Sequence, residues 1–185
     1  IPVLSTDHST ALVIVEIIRW INEQLAETTS LHGVLVDVFG EGILITGASG
    51  IGKSETAIEL VKRGHRLVAD DVIEVLKIGE DLLMGKAPEL TRHLVELRGI
   101  GVVDIKSLYG VESVMEFSPI NMIINLEEWD GQSSYDRLGL NEDYTDILGV
   151  KVVSHTIPIR PGRTTSRASR AERRPRPCPR PSPRA

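Results

Sequence analysis

"ITGASGIGKSETAIEL", residues 45–60, decides how the rest of the chain is read. Within it, Gly47, Ala48, Ser49, Gly50, Ile51, Gly52, Lys53 and Ser54 fit the pattern G-x-x-x-x-G-K-[ST]. "GILITG" ahead of the glycines reads as a strand, and residues 54–63 behind them read as a helix stopped at Gly64. Strand, glycine-rich turn and helix start, in that order, are what an anion cradle needs, because successive backbone N–H groups and the helix N-terminus then converge on one phosphate. Gly47 and Gly52 let the backbone approach where a Cβ would block it. Lys53 can reach the β and γ phosphates of a bound donor, and the Ser54 hydroxyl can ligate Mg²⁺. A fortuitous glycine-rich turn is the plain alternative, and the complete pattern in its proper context speaks against it.

Outward from this loop, "GVLVDVFG" and "GILITG" form a hairpin with Gly40, Glu41 and Gly42 as its turn. Residues 12–27 carry Leu12, Ile14, Ile17, Ile18, Ile21 and Leu25 near helical spacing, which predicts an amphipathic helix. "HRLVAD" and "VIEVLKI" are two further strand candidates, followed by a turn at Gly79, Glu80 and Asp81, and strands are expected over 121–126 and 150–159. The hairpins flanking the loop predict an α/β fold in which helices flank a mixed sheet rather than a purely parallel one.

A chain of 185 residues with 41% hydrophobic content holds one core-bearing domain and has no room for a second. It begins at Ile1 with no secretory segment, so it reads as a piece of a longer cytoplasmic protein, with residues 1–29 as connector and helix from a missing N-terminal domain. No stretch is long enough to span a membrane. The single cysteine, Cys178, excludes an intrachain disulfide and a cysteine-based metal cluster. Residues 164–185 hold seven arginines, one glutamate and five prolines, so the body is more acidic than the overall charge of −5 and the tail is basic. That tail has no apolar periodicity and cannot form a packed element. It reads as a solvated or non-native terminus in preference to a nucleic-acid tether.

Asp70 and Asp71 follow the apolar run "LVA", where a carboxylate can hold a metal or take a proton from a nucleophile. On a strand the two point to opposite sides, so only one faces the phosphates. "VELRGIGVVDI", residues 95–105, places Glu96 and Arg98 on either side of Leu97, offering a metal carboxylate and a charge-neutralising guanidinium; a glycine-rich connection is the bland alternative. His32 alone is more often a surface or packing residue. Arg137 and the run Pro158, Ile159, Arg160, Pro161, Gly162, Arg163 offer guanidinium groups suited to phosphate, though taken alone they are ordinary loop arginines.

The combination "HGVLVDVFGEGILITGASGIGKSETAIELVKRGHRLVADD", "VELRGIGVVDIKSLYG" and "IPIRPGR" resembles the C-terminal catalytic domain of HPr kinase/phosphorylase over residues 30–163. The phosphate loop is shared with many families, whereas the RGIG and IPIRPGR segments are not. The resemblance implies a P-loop fold like that of phosphoenolpyruvate carboxykinase and a hexameric enzyme of carbon catabolite control. It implies transfer of phosphate from ATP or pyrophosphate to a serine of the phosphocarrier protein HPr, and phosphorolysis of the product back to pyrophosphate. By matching motifs, Gly47 to Ser54 would bind the donor, Ser54 and Glu96 would hold Mg²⁺, and Asp71 would be base and acid for the serine. His32, Lys53 and Arg137 would complete the active site. Residues 95–104 would serve both reactions, and Pro158 to Arg163 mainly dephosphorylation. After Arg163 the chain departs from the family.

Two other functions remain open on sequence alone. A nucleotide-sensing regulatory module would need the loop but no base at Asp71. A small-molecule P-loop kinase or a nucleic-acid-dependent ATPase would share the loop, but the acidic body disfavours broad nucleic-acid contact.

Overall fold

The computed structural model describes residues 5–129 and 143–159. Helix α1 (Thr10–Leu25) leads into β1 (Thr28–Val38) and β2 (Glu41–Gly47), then α2 (Lys53–Lys62), β3 (Arg66–Ile78) and β4 (Leu82–Lys86). A short ribbon of β5 (Leu94–Leu97) and β6 (Gly101–Asp104) precedes α3 (Ile105–Tyr109), β7 (Phe117–Pro119), β8 (Met122–Glu128), β9 (Asp143–Ile147) and β10 (Val150–Ile159). Eight strands form one sheet in the order β7-β4-β3-β1-β2-β8-β10-β9, and β5 and β6 pair only with each other. The expected mixed sheet is present: β1 runs antiparallel to β2 and β3, while β2, β8 and β10 are parallel neighbours.

The apolar runs of β1 and β2 are continuous because both faces of the sheet centre are buried. Val34, Val36 and Val38 face one side with Ile43 and Ile45, and there they pack with Ala57, Leu60 and Val61 of α2. Leu35 and Leu44 turn to the other side, among Val68, Ile73, Leu83, Ile120 and Ile123. The spacing of Ala57, Leu60 and Val61 is one helical stripe, and each large aliphatic buried this way contributes about 1.5–3 kcal/mol. Asp37 is the buried polar residue of β1, and its carboxylate pairs with Arg66 at 3.0 Å.

Four sequence expectations need correction. The hairpin turn lies one residue earlier than expected, at Phe39 and Gly40, both with positive φ (56° and 88°), as a two-residue turn of the kind that suits strand twist. Second, "HRLVAD" and "VIEVLKI" are a single thirteen-residue strand, β3, which passes through the aspartates because Asp71 adopts φ 68° rather than breaking the ladder. Third, β1 begins at Thr28, pairing with Leu76, so it is longer than the apolar run that signalled it. Fourth, α1 starts two residues earlier than read, at Thr10 after Ser9, whose side chain caps Leu12 N–H at 3.5 Å. The six apolar residues of α1 that set its periodicity are largely exposed, and no helix is long and apolar enough to cross a membrane among the described residues.

Gly42 is freed from turn duty by this shift, and packing explains it. Its backbone exchanges hydrogen bonds with Asn121, N–H to Oδ1 at 2.9 Å and carbonyl to N–H at 2.9 Å, and a Cβ there would overlap the Pro119 carbonyl and the Ser118 hydroxyl. Gly42→Ala should therefore destabilise the fold by about 1–3 kcal/mol through forced backbone separation. A denaturant midpoint equal to that of the parent would show that this approach is looser than the geometry requires.

Candidate active site

Strand β2 ends in Gly47, and the chain turns through Gly50 into α2, whose N-cap is Gly52 at φ 106°. Gly47 and Gly50 also have positive φ, 137° and 83°. The Gly47 site has no room for a side chain because the Leu126 carbonyl of neighbouring β8 occupies it. These three glycines carry the chain from the end of β2 to the start of α2, the succession of elements that an anion cradle requires.

Lys53 and Ser54 are the first residues of α2. Lys53 is buried, and its ammonium donates to the Gly47 and Ala48 carbonyls at 3.0 and 3.1 Å. Ser54 Oγ donates to Asp70 Oδ1 at 2.9 Å, and the second carboxylate oxygen of Asp70 accepts the backbone N–H of Glu96 at 3.1 Å. One buried carboxylate thus joins the helix start, the central sheet and the β5–β6 ribbon. Desolvation raises the Asp70 pKa, partly opposed by the hydrogen bonds from Ser54 and Glu96.

Asp71, next in sequence, is exposed and meets His32 of β1, with Nδ1 to Oδ1 at 3.1 Å. His32 and Asp71 come together because β1 and β3 pair in register at Gly33 and Asp71. The two aspartates have different partners, Asp70 meeting Ser54 and Asp71 meeting His32.

Other candidate residues divide between those positioned here and those outside the described residues. Pro158 and Ile159 close β10, level with Glu127 and Glu128 of β8, so this strand leaves the sheet at the same edge as the end of β2. Arg137, Arg160, Pro161, Gly162 and Arg163 lie outside the described residues. The sequence reading paired Ser54 with Glu96 but did not foresee Asp70 between them. Its signal was available: Asp70 directly continues the run Leu67, Val68, Ala69, all buried, so a polar residue there needs a partner. Among the described residues no cluster of three or more His, Cys, Asp or Glu side chains could by itself hold a metal.

Because its folded pKa is raised above the ordinary carboxylate value of 3.8, Asp70 binds its proton more tightly in the folded chain than in the unfolded one. The stability linked to it is therefore present at low pH and lost as pH rises from that value through the folded pKa. The melting temperature of the parent minus that of Asp70→Asn should fall across this window and level off above it. Parallel curves for the two proteins would show that Asp70 is not desolvated.

The fold and the site have clear counterparts. Residues 23–171 match the HPr Serine kinase C-terminal domain, a match that runs past Arg163, where the resemblance was expected to stop. The HPr kinase/phosphorylase of Lachnoclostridium phytofermentans is 57% identical over 163 residues, covering 88% of this chain and 53% of that protein. The enzyme of the same name from Alkaliphilus metalliredigens is 53% identical, covering 87% of this chain and 52% of that protein. The structure of the Hpr(Ser) kinase/phosphatase from Coxiella burnetii superposes with a TM-score of 0.66 at 31% identity, covering 71% of this chain and 86% of that one. The chain spans about half the length of the curated relatives it matches. With the glycine-rich loop, the mixed sheet and the similarity all in agreement, the chain belongs to the HPr serine kinase C-terminal domain family.

Proposed function

We propose that this chain is the catalytic part of a bifunctional protein-serine kinase and phosphorylase that acts on HPr, with ATP or pyrophosphate as donor. The observation that carries the reading is the pair of neighbouring aspartates: one holds Ser54 under the loop, and the other holds His32 beside it. A nucleotide sensor needs the first arrangement and has no use for the second.

In the forward direction the loop N–H groups and Lys53 bind the donor phosphates. The Lys53 ammonium exchanges its contacts with Gly47 and Ala48 for phosphate oxygens. Asp71 takes the proton of the acceptor serine as its oxygen bonds to the donor's terminal phosphorus, and the bond from that phosphorus to the leaving phosphate oxygen breaks. His32 fixes the orientation of the Asp71 carboxylate. In reverse, an oxygen of inorganic phosphate bonds to the phosphoserine phosphorus, the serine oxygen leaves, and Asp71 returns its proton; pyrophosphate is the product. Mg²⁺, when bound, supplies charge neutralisation across the donor oxygens. Ser54 and Glu96 would hold it, and Asp70 orients the Ser54 hydroxyl.

Arg137 would add positive charge to the site. Pro158 to Arg163 would serve mainly the reverse reaction, where two phosphate anions must approach each other. The edge shared by β2, β8 and β10 supports that role, since it brings the end of β10 toward the loop. The wider reading is a phosphoenolpyruvate-carboxykinase-like P-loop domain over residues 30–163, working in the cytoplasm as a hexamer, with residues 1–29 as its connector.

Incubation with labelled ATP, Mg²⁺ and HPr should yield phosphoserine, and added inorganic phosphate should drive the label into pyrophosphate. Lys53→Ala should suppress both directions and weaken donor binding. Asp71→Asn should keep donor binding while lowering transfer on the order of 10²- to 10⁴-fold. Undiminished turnover in Asp71→Asn would move the base elsewhere.

A further inference from the structure

The β5–β6 ribbon stands apart from the main sheet but is anchored next to the loop, because the Glu96 N–H is bound by Asp70. Its tip is a tight reversal in which Leu97 pairs with Gly101 and the Ile100 N–H closes onto the Leu97 carbonyl at 3.1 Å. Gly99 and Gly101 supply the positive φ values, 79° and 101°, that the reversal needs. The tip carries Arg98. Its guanidinium lies against the apex of the glycine-rich loop: a Cβ on Gly50 would collide with Cζ and both terminal nitrogens of Arg98. Arg98 is exposed, and among the described residues no carboxylate pairs with it. A forked cation with no carboxylate partner among the described residues is therefore delivered from the β5–β6 ribbon, which packs on the core through Val95, onto a loop whose sequence suits anions. Lys53 meanwhile has its charge directed at the loop's own carbonyls.

We propose that Arg98 is a donor-binding residue, whose guanidinium contacts the polyphosphate held by the loop, and that position 50 is glycine so that the guanidinium fits. The inference rests on the reading of the loop as a polyphosphate cradle. The ligand class is a polyphosphate, supplied either by a nucleoside triphosphate or by pyrophosphate. A guanidinium suits it because its planar donors can engage two phosphate oxygens at once. The same contact makes the ribbon a reporter of occupancy. Asp70 holds its root and the donor would hold its tip.

The test is calorimetric titration of the full 185-residue chain with Mg²⁺–ATP and, separately, with Mg²⁺–pyrophosphate, for the parent, Arg98→Ala, Arg98→Lys, Gly50→Ala and the Gly50→Ala/Arg98→Ala double variant. Loss of a charge-assisted hydrogen-bond pair should weaken Arg98→Ala binding by about 10- to 100-fold. Arg98→Lys should fall between, since it keeps the charge and loses the fork. Gly50→Ala displaces the guanidinium and also strains a left-handed residue, so the deciding comparison is within its background: removal of Arg98 there should cost less than twofold. Because Arg98 is exposed, its variants should melt within a few degrees of the parent, which separates lost contact from lost fold. A loss with both ligands supports a contact to the phosphates they share, and a loss with one identifies that polyphosphate as the one the tip holds. Parent-like affinity of Arg98→Ala for both ligands overturns the role of Arg98 alone. Failure of the parent to bind either ligand overturns the cradle reading as well.

Discussion

The buried carboxylate of Asp70 is the joint on which the rest of the site depends. Its two oxygens take hydrogen bonds from groups in different parts of the chain, the Ser54 hydroxyl at the start of α2 and the Glu96 N–H in the β5–β6 ribbon. Asp70 is buried, so its carboxylate needs these partners, whereas Ser54 is half-buried and Glu96 exposed. The two hydrogen bonds oppose the desolvation that raises the carboxyl pKa. That requirement sets the position of the helix start relative to the ribbon, and so the position of the glycine-rich loop relative to Arg98.

Around that joint, the sheet acts as a jig. Antiparallel pairing of β1 with β2 and β3 puts Val34 opposite both Ile45 and Asp70, so the carboxylate lies level with the last turn of chain before the loop. Parallel pairing of β2, β8 and β10 sends three strand ends to one edge. In open α/β sheets the ends of parallel strands are where ligands are held, because the loops there are free to vary while the strands are not. The burial of β1 and β2 on both faces keeps these strands from slipping, since a one-residue shift would exchange the contents of two packed layers.

The left-handed residues mark where this jig departs from regularity. Phe39 closes the β1–β2 hairpin, and Asp71 interrupts the regular conformation within β3. A non-glycine residue in that region is uncommon and costs about 1–2 kcal/mol, which aspartate tolerates better than most. At Asp71 the departure sits where His32 reaches across from β1, so the irregular residue is also the one placed beside the loop with a histidine partner.

Much of this was legible in the residues themselves. The spacing of glycines, lysine and serine in residues 47–54 is a local code for a loop conformation, and local conformation is what sequence reports most directly. The helix behind it, the stop at Gly64 and the run of β10 were likewise readable from short-range patterns. The adjacency of Asp70 and Asp71 was visible too. What only the tertiary structure decided is who meets whom across long separations. Ser54 finds Asp70, Gly42 answers to Pro119 and Ser118 rather than to a turn, and Arg98, read as either a charge-neutralising guanidinium or part of a plain connection, lands on Gly50. Such contacts depend on the register of β1 with β3 and on the packing of the ribbon against the sheet. Both are set by the whole core at once, so no window of sequence contains them.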